Sequence, residues 1–123
     1  MEKSQKEIWI MADKDMLHQV FHNLLLNAQQ ALVETTTPKI EVRVTLLNQE
    51  VGIVIQDNGI GISDEQQPQI FTPYFTTKSS GSGIGLSVVR QIVEKHGGNI
   101  RFESEHLKGT SFYITFKLLS EGL

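Results

Sequence analysis

The chain has 123 residues, 39% hydrophobic and 20% charged, the length and balance of one globular domain around one core rather than of a disordered polymer. Its formal net charge of −3, without a cluster of Lys and Arg, leaves no basic field for nucleic acid. The absence of cysteine rules out disulfides, Cys-ligated zinc and a thiol nucleophile, and suits a cytoplasmic protein.

Residues 1–7 are polar and, like residues 119–123, are expected to be flexible ends. Residues 8–12 form a short apolar run that reads as a strand. Asp13 or Asp15 then caps a helix. Along it Met16, Leu17, Val20, Phe21, Leu24, Leu25, Ala28, Ala31 and Leu32 recur every three or four positions, the pattern of a buried face. Residues 35–37 and Pro38 end that helix. Two β-rich stretches follow, residues 40–47 and 51–56, and the polar turn at 48–50 between them predicts an antiparallel hairpin. Gly59 and Gly61 interrupt the pattern, residues 63–70 suit a short helix, and residues 72–83 have the length and composition of a lid loop. A second helix over residues 84–96 buries Val88, Val89, Ile92 and Val93 and stops at Gly97 and Gly98. Strands at 99–104 and 111–118, joined by a turn containing Gly109, complete the order βαββ(α)αββ. That order predicts a single-domain, two-layer α/β sandwich over residues 1–123, with helices on one face of a mixed, mostly antiparallel sheet. No apolar run approaches the ~20 residues of a membrane-spanning helix, and the polar start lacks a signal-peptide core, so no membrane contact is expected of this chain.

Asn23 and Asn27 lie one turn apart and project from the same side of the first helix, at the rim of its apolar stripe. An amide oxygen is a hard neutral donor of the kind Mg²⁺ accepts, and that ion fills most of its shell with phosphate oxygens and water. Asn27 is therefore a candidate sole protein ligand, although the spacing alone equally fits asparagines that satisfy backbone groups or face water. Asp57 ends an apolar strand, and Gly59 and Gly61 leave the main chain bare beside it. A carboxylate there can accept a hydrogen bond from the exocyclic amine of adenine, while Asn58 and Gly59 also make a favoured turn pair.

Gly81, Ser82, Gly83, Ile84, Gly85 and Leu86 span the junction of the long loop with the second helix, where free N–H groups and the positive helix end can cradle phosphate. Their G-x-G-x-G spacing matches neither the Rossmann fingerprint nor a Walker P-loop, and without a ligand the cluster reads as a flexible hinge. The segment IFTPYFTTK sets aromatics beside polar residues just before those glycines. Such a loop can close as a lid or anchor on the core, and its Lys78 can neutralise phosphate or stay solvated.

In this order the segments resemble the Bergerat-fold ATPases, the superfamily of gyrase, mismatch-repair ATPases, heat-shock chaperones of the ninety-kilodalton class and histidine kinases. HQVFHNLLLNAQQAL is similar to the kinase N box and DNGIGI to the first glycine box. IFTPYFTTK resembles the F box, SGSGIGLSVVRQIVEKHGG the second glycine box, and GTSF the short last one, so the likeness covers nearly the whole chain. Hydrolysing members carry a glutamate base one turn before the metal-binding asparagine, and this chain has Asn23 there, which is no base. Together with the F box and the short lid, that substitution resembles the ATP-binding catalytic domain of a bacterial sensor histidine kinase of the nitrogen-regulation kind.

The resemblance implies a domain that binds Mg·ATP and hands the γ-phosphoryl group to a histidine on a separate dimerisation domain, with a response regulator downstream. It implies Asn27 as the Mg²⁺ ligand, with Asn23 and Lys78 assisting the transfer. Around the nucleotide it implies Gln30, Asp57, Gly59, Gly61, Ile62, Phe71, Thr77, the turn from Gly81 to Leu86, and Thr110 through a water shared with Asp57. Gln30 stands near where some members carry a basic residue, so it is expected to meet phosphate without charge. The phosphoacceptor motif is absent, for none of His18, His22, His96 and His106 precedes an acidic residue and a proline in the required spacing. His18 and His22 share a helix side that can face the dimerisation helices, and His96 is expected to serve the end of the second helix. The isolated domain is expected to be a monomer and inactive without its acceptor. Two rivals stand beside this reading: a serine kinase of the anti-sigma type, which Asn23 disfavours, and a nucleotide-binding switch that transfers no phosphate.

Overall fold

The computed structural model describes residue 10, residues 12–72 and residues 85–118. Its elements are α1 (Lys14–Ala31), β1 (Ile40–Leu47), β2 (Glu50–Asp57), a single 3-10 turn at Gln67–Gln69, α2 (Gly85–Lys95), β3 (Asn99–Glu105) and β4 (Gly109–Lys117). Among the described residues no helix is long and apolar enough to cross a membrane.

Asp13, not Asp15, caps α1: its Oδ1 accepts from the N–H groups of Asp15 at 3.0 Å and Met16 at 3.1 Å. Asp15 sits in the first turn, where its charge complements the helix dipole. The helix stops at Ala31, earlier than the threonines predicted, because the Ala31 carbonyl is taken by the N–H of Ile60 at 3.0 Å. α2 ends as its glycines predict. Gly97 at φ +74° donates to Glu94 O at 3.0 Å and Gly98 to Val93 O at 2.9 Å, the paired bonds of a Schellman cap.

β1 and β2 form the predicted hairpin, but the turn is two residues long. Asn48 and Gln49 hold φ values of 53° and 66°, the left-handed pair that suits the twist of a tight hairpin, and Glu50 already belongs to the strand opposite Leu47. The sheet runs β1-β2-β4-β3 and every described pairing is antiparallel. Of the strand predicted over residues 8–12, Ile10 and Ala12 stand outside any strand, and the others lie outside the described residues. The helix predicted over residues 63–70 shrinks to a turn and the 3-10 piece, built from i→i+3 bonds such as Gln69 N–H to Gln66 O at 2.9 Å. Pro68, with no N–H to give, sits at its start.

Alternation along β2 and β4 turns Val51, Ile55, Phe112, Ile114 and Phe116 toward the helices, where they bury against Val20, Leu24, Val89, Ile92 and Val93. Each such side chain contributes about 1.5–3 kcal/mol of burial free energy. Both helices cover this one face, so the predicted two-layer α/β sandwich holds. Val42 and Val44 are register partners of Ile55 and Ile53 and so point to the helix side, yet each is 54% exposed because β1 lies beyond the helices' cover.

Candidate functional site

Asp57 ends β2 and is 5% exposed, and its register partner on β4, Thr110, is equally buried at 5%. The Asp57 Oδ1 accepts from Gly59 N–H at 2.9 Å, which turns the chain sharply away from the sheet. The loop that follows is tied down from three sides. Asn58 bonds the segment before β1, donating to Thr37 O and accepting from Lys39 N–H, both at 2.8 Å. Ile60 bonds the last carbonyl of α1 and receives the N–H of Leu107 from the β3–β4 turn. Ile62 N–H donates to the Ser104 hydroxyl at 2.8 Å, while Gln67 Nε2 donates to Ile62 O at 3.0 Å and Ser104 O at 3.2 Å.

Gly61 is required here by the protein's own backbone. It holds φ +72°, and a Cβ on it would fall 2.2 Å from Glu105 O. The need for glycine at this position thus arises within the fold, before any ligand is considered.

The neighbouring wall is α1. Asn23 is half-buried, and its Nδ2 reaches Gly85 O, the first residue of α2, at 3.5 Å, so the helix that carries the two asparagines meets the start of α2. Asn27 lies one turn further on, half-buried on the same flank, and Gln30 continues that flank. Gly85 and Leu86 open α2, where the first N–H groups of a helix and its dipole favour an anion. Thr77, Lys78, Gly81, Ser82, Gly83 and Ile84 lie outside the described residues.

Phe71 takes the core-anchoring place that the sequence left open beside a lid. Its ring meets Phe102 and Phe112 edge-on, with centroids 5.9 and 6.5 Å apart, and the Arg90 guanidinium lies 5.5 Å over it. Its packing anchors the chain at residue 71 on the core. His18, His22 and His106 are exposed, whereas both ring nitrogens of His96 are engaged within the fold.

Ser104 and Gln67 carried no weight in the sequence, yet both hold the loop after Asp57. A signal for Ser104 was present: Ile100 and Phe102 alternate inward along β3, and the next inward position is a hydroxyl where the pattern calls for an apolar group.

Among the described residues the candidate site thus has a buried carboxylate and hydroxyl at the end of the sheet, side-chain amides along α1, and the start of α2 in contact with Asn23. Buried acceptors suit a base that donates hydrogen bonds. The amides suit a cation bound jointly with phosphate, since Mg²⁺ accepts such oxygens and needs few from protein.

The family described as histidine kinase-, DNA gyrase B-, and HSP90-like ATPase matches residues 12–120. Sensor histidine kinase ZraS of Escherichia coli K12 is 48% identical over 105 residues, covering 85% of this chain and 22% of the relative. Signal transduction histidine-protein kinase AtoS of the same organism is 38% identical over 114 residues, 92% of this chain and 18% of the relative. The chain thus spans about a fifth of the length of these curated relatives. Among solved structures, the catalytic domain of histidine kinase ThkA superposes with a TM-score of 0.76 at 35% identity, over 88% of this chain and 70% of that one. The mycobacterial sensor histidine kinase MprB gives 0.78 at 27% identity, over 89% and 76%. Motif order, fold and likeness converge, and the chain belongs to the histidine kinase-, DNA gyrase B-, and HSP90-like ATPase family as the ATP-binding catalytic domain of a histidine kinase.

Proposed function

We propose that this domain binds Mg·ATP between α1 and α2 and supplies the γ-phosphoryl group to a histidine on a separate dimerisation domain, from which it passes to a response regulator. The burial of Asp57 beside Thr110, at the end of the sheet and under a pinned loop, is the observation that supports it most directly.

In this reading the Asp57 carboxylate accepts from the adenine amine, and Thr110 hydrogen bonds nearby through water. Gly61 and Ile62 supply main chain against the ring, Asn27 ligates Mg²⁺, and Asn23 and Gln30 extend the polar wall toward phosphate. Mg²⁺, when bound, neutralises charge on the phosphate oxygens and holds them in one geometry. The turn at Gly81, Ser82 and Gly83, with the start of α2, receives the phosphates, and Lys78 and Thr77 complete the pocket. Asn23 has no carboxylate with which to activate water, so the acceptor is a protein side chain rather than solvent. The exposed side of α1 that carries His18 and His22 faces the dimerisation helices.

Asp57→Asn tests the reading. The variant keeps an acceptor for Gly59 and should retain the fold, yet lose ADP binding by about tenfold or more, because it forfeits a charge-assisted hydrogen bond. ADP affinity unchanged in a calorimetric titration would remove Asp57 from the site, and the assignment of the pocket with it.

A further inference from the structure

We infer that Ser104 is a positioning residue that fixes the direction of the Thr110 hydroxyl, and thereby which edge of a nucleobase the pocket accepts; the inference rests on the ATP-binding reading above. The Ser104 Oγ has three partners: Ile62 N–H at 2.8 Å, Gly109 O at 3.0 Å and Thr110 Oγ1 at 2.9 Å. A serine hydroxyl has one proton to give and two lone pairs to receive. An amide N–H can only donate and a carbonyl can only accept. All three contacts are satisfied in a single arrangement: Ser104 receives from Ile62, gives its proton to Gly109 O, and receives the Thr110 proton.

The consequence lies on the other side of Thr110. Its proton is directed toward β3, so the hydroxyl offers only lone pairs to the space beside Asp57, its register partner on the same face of the sheet. Asp57 is likewise an acceptor when ionised. The buried end of the pocket therefore presents acceptors side by side and selects a base, or a bridging water, that donates to it. The 6-amino group of adenine does so. A 6-oxo purine placed the same way sets its oxygen against two acceptors and leaves a buried polar group unpaired, at a cost in affinity. Ser104 also holds the floor of the pocket, because the Ile62 anchor and the Gln67 bond to Ser104 O keep the loop in register with β3.

The test is calorimetric titration of the 123-residue chain with Mg·ADP and Mg·IDP, in the unmodified protein and in Ser104→Ala. The unmodified chain should prefer ADP. Ser104→Ala frees the Thr110 proton to turn toward the ligand, so ADP affinity should fall by about tenfold and the ADP-to-IDP ratio should narrow by a similar factor. Ser104→Thr, which keeps the hydroxyl, should restore the ratio. A loss of affinity equal for both nucleotides, with the ratio unmoved, marks Ser104 as structural support only and overturns the inference. If Ser104→Ala does not fold, Thr110→Val carries the test: the ratio should narrow again, and an unchanged ratio overturns the inference. An unmodified chain that binds neither nucleotide overturns the ATP-binding reading as well, whereas tight ADP binding with an unmoved ratio overturns the role of Ser104 alone.

Discussion

His96 Nε2 accepts a hydrogen bond from the backbone N–H of Asp13 at 2.9 Å, joining the residue after α2 to the N-cap of α1 across 83 positions of sequence. The other ring nitrogen, Nδ1, lies 2.8 Å from Ile92 O, and a carbonyl can only accept, so the tautomer that satisfies both contacts carries its proton on Nδ1. The ring edge also rests against Phe116, with centroids 6.5 Å apart. His96 thus serves the end of α2, as its position suggested, and also fixes where α1 begins. His96→Ala should lower unfolding stability by about 1–2 kcal/mol, since two hydrogen bonds vanish at a site water can partly reach. Urea denaturation measures this; a midpoint identical to the unmodified chain would show that the bridge between helices contributes nothing.

Two glycines with nearly the same backbone angle should respond differently to alanine. Gly97, at φ +74°, meets no described residue beyond its own chain neighbours within 4 Å of the point where a Cβ would stand, so Gly97→Ala should cost only the left-handed penalty, about 1–2 kcal/mol. Gly61, at φ +72°, would place its Cβ 2.2 Å from Glu105 O and 3.1 Å from the His106 Cα. That overlap is with backbone and cannot be relieved by a rotamer change. Gly61→Ala should therefore cost more than Gly97→Ala and should weaken ADP binding as well, because the loop shifts off β3. Equal stability losses with intact nucleotide affinity would contradict this role for Gly61.

The contrast between these glycines marks how far the sequence could be read. Elements were legible where a repeat of period 3.6 or 2 met a cap, as in Val20, Leu24 and Ala28 on α1 or Gly97 and Gly98 after α2. Asp57 was legible as a candidate because a charged residue closing an apolar strand before glycine is conspicuous. What could not be read was tertiary. The early end of α1 depends on Ile60 claiming the Ala31 carbonyl, the need for glycine at 61 depends on Glu105, and the choice of core over lid for Phe71 depends on Phe102 and Phe112. None of those partners is near in sequence, and the first two constraints act through backbone atoms, which leave no mark on residue type.

The unequal cover of the sheet gives a second paired prediction. Ile55 is 2% exposed, and its register partner Val42 is 54% exposed on the same face. Ile55→Ala should cost about 2–5 kcal/mol, through lost transfer free energy and the cavity left behind. Val42→Thr should stay within about 0.5 kcal/mol, since the site is open to solvent. Chemical denaturation of the two variants decides it. A large loss at Val42 would mean that this edge is covered in solution by more than the described helices.

Asn23 and Asn27 share a flank of α1 but should fail in different ways. Asn23 Nδ2 reaches Gly85 O, so Asn23→Ala loosens the start of α2 and should weaken ADP with or without metal. Asn27 is proposed to bind the cation, so Asn27→Ala should leave metal-free affinity near its original value and remove the gain that Mg²⁺ brings, a loss of about tenfold for a charge-assisted contact. Titrations of each variant with and without Mg²⁺ separate the two. A residue that holds only the protein lowers both affinities together, and one that holds the ion lowers only the affinity that contains it. Equal loss under both conditions for Asn27→Ala would assign that residue to the first kind and leave the metal to the phosphates and water.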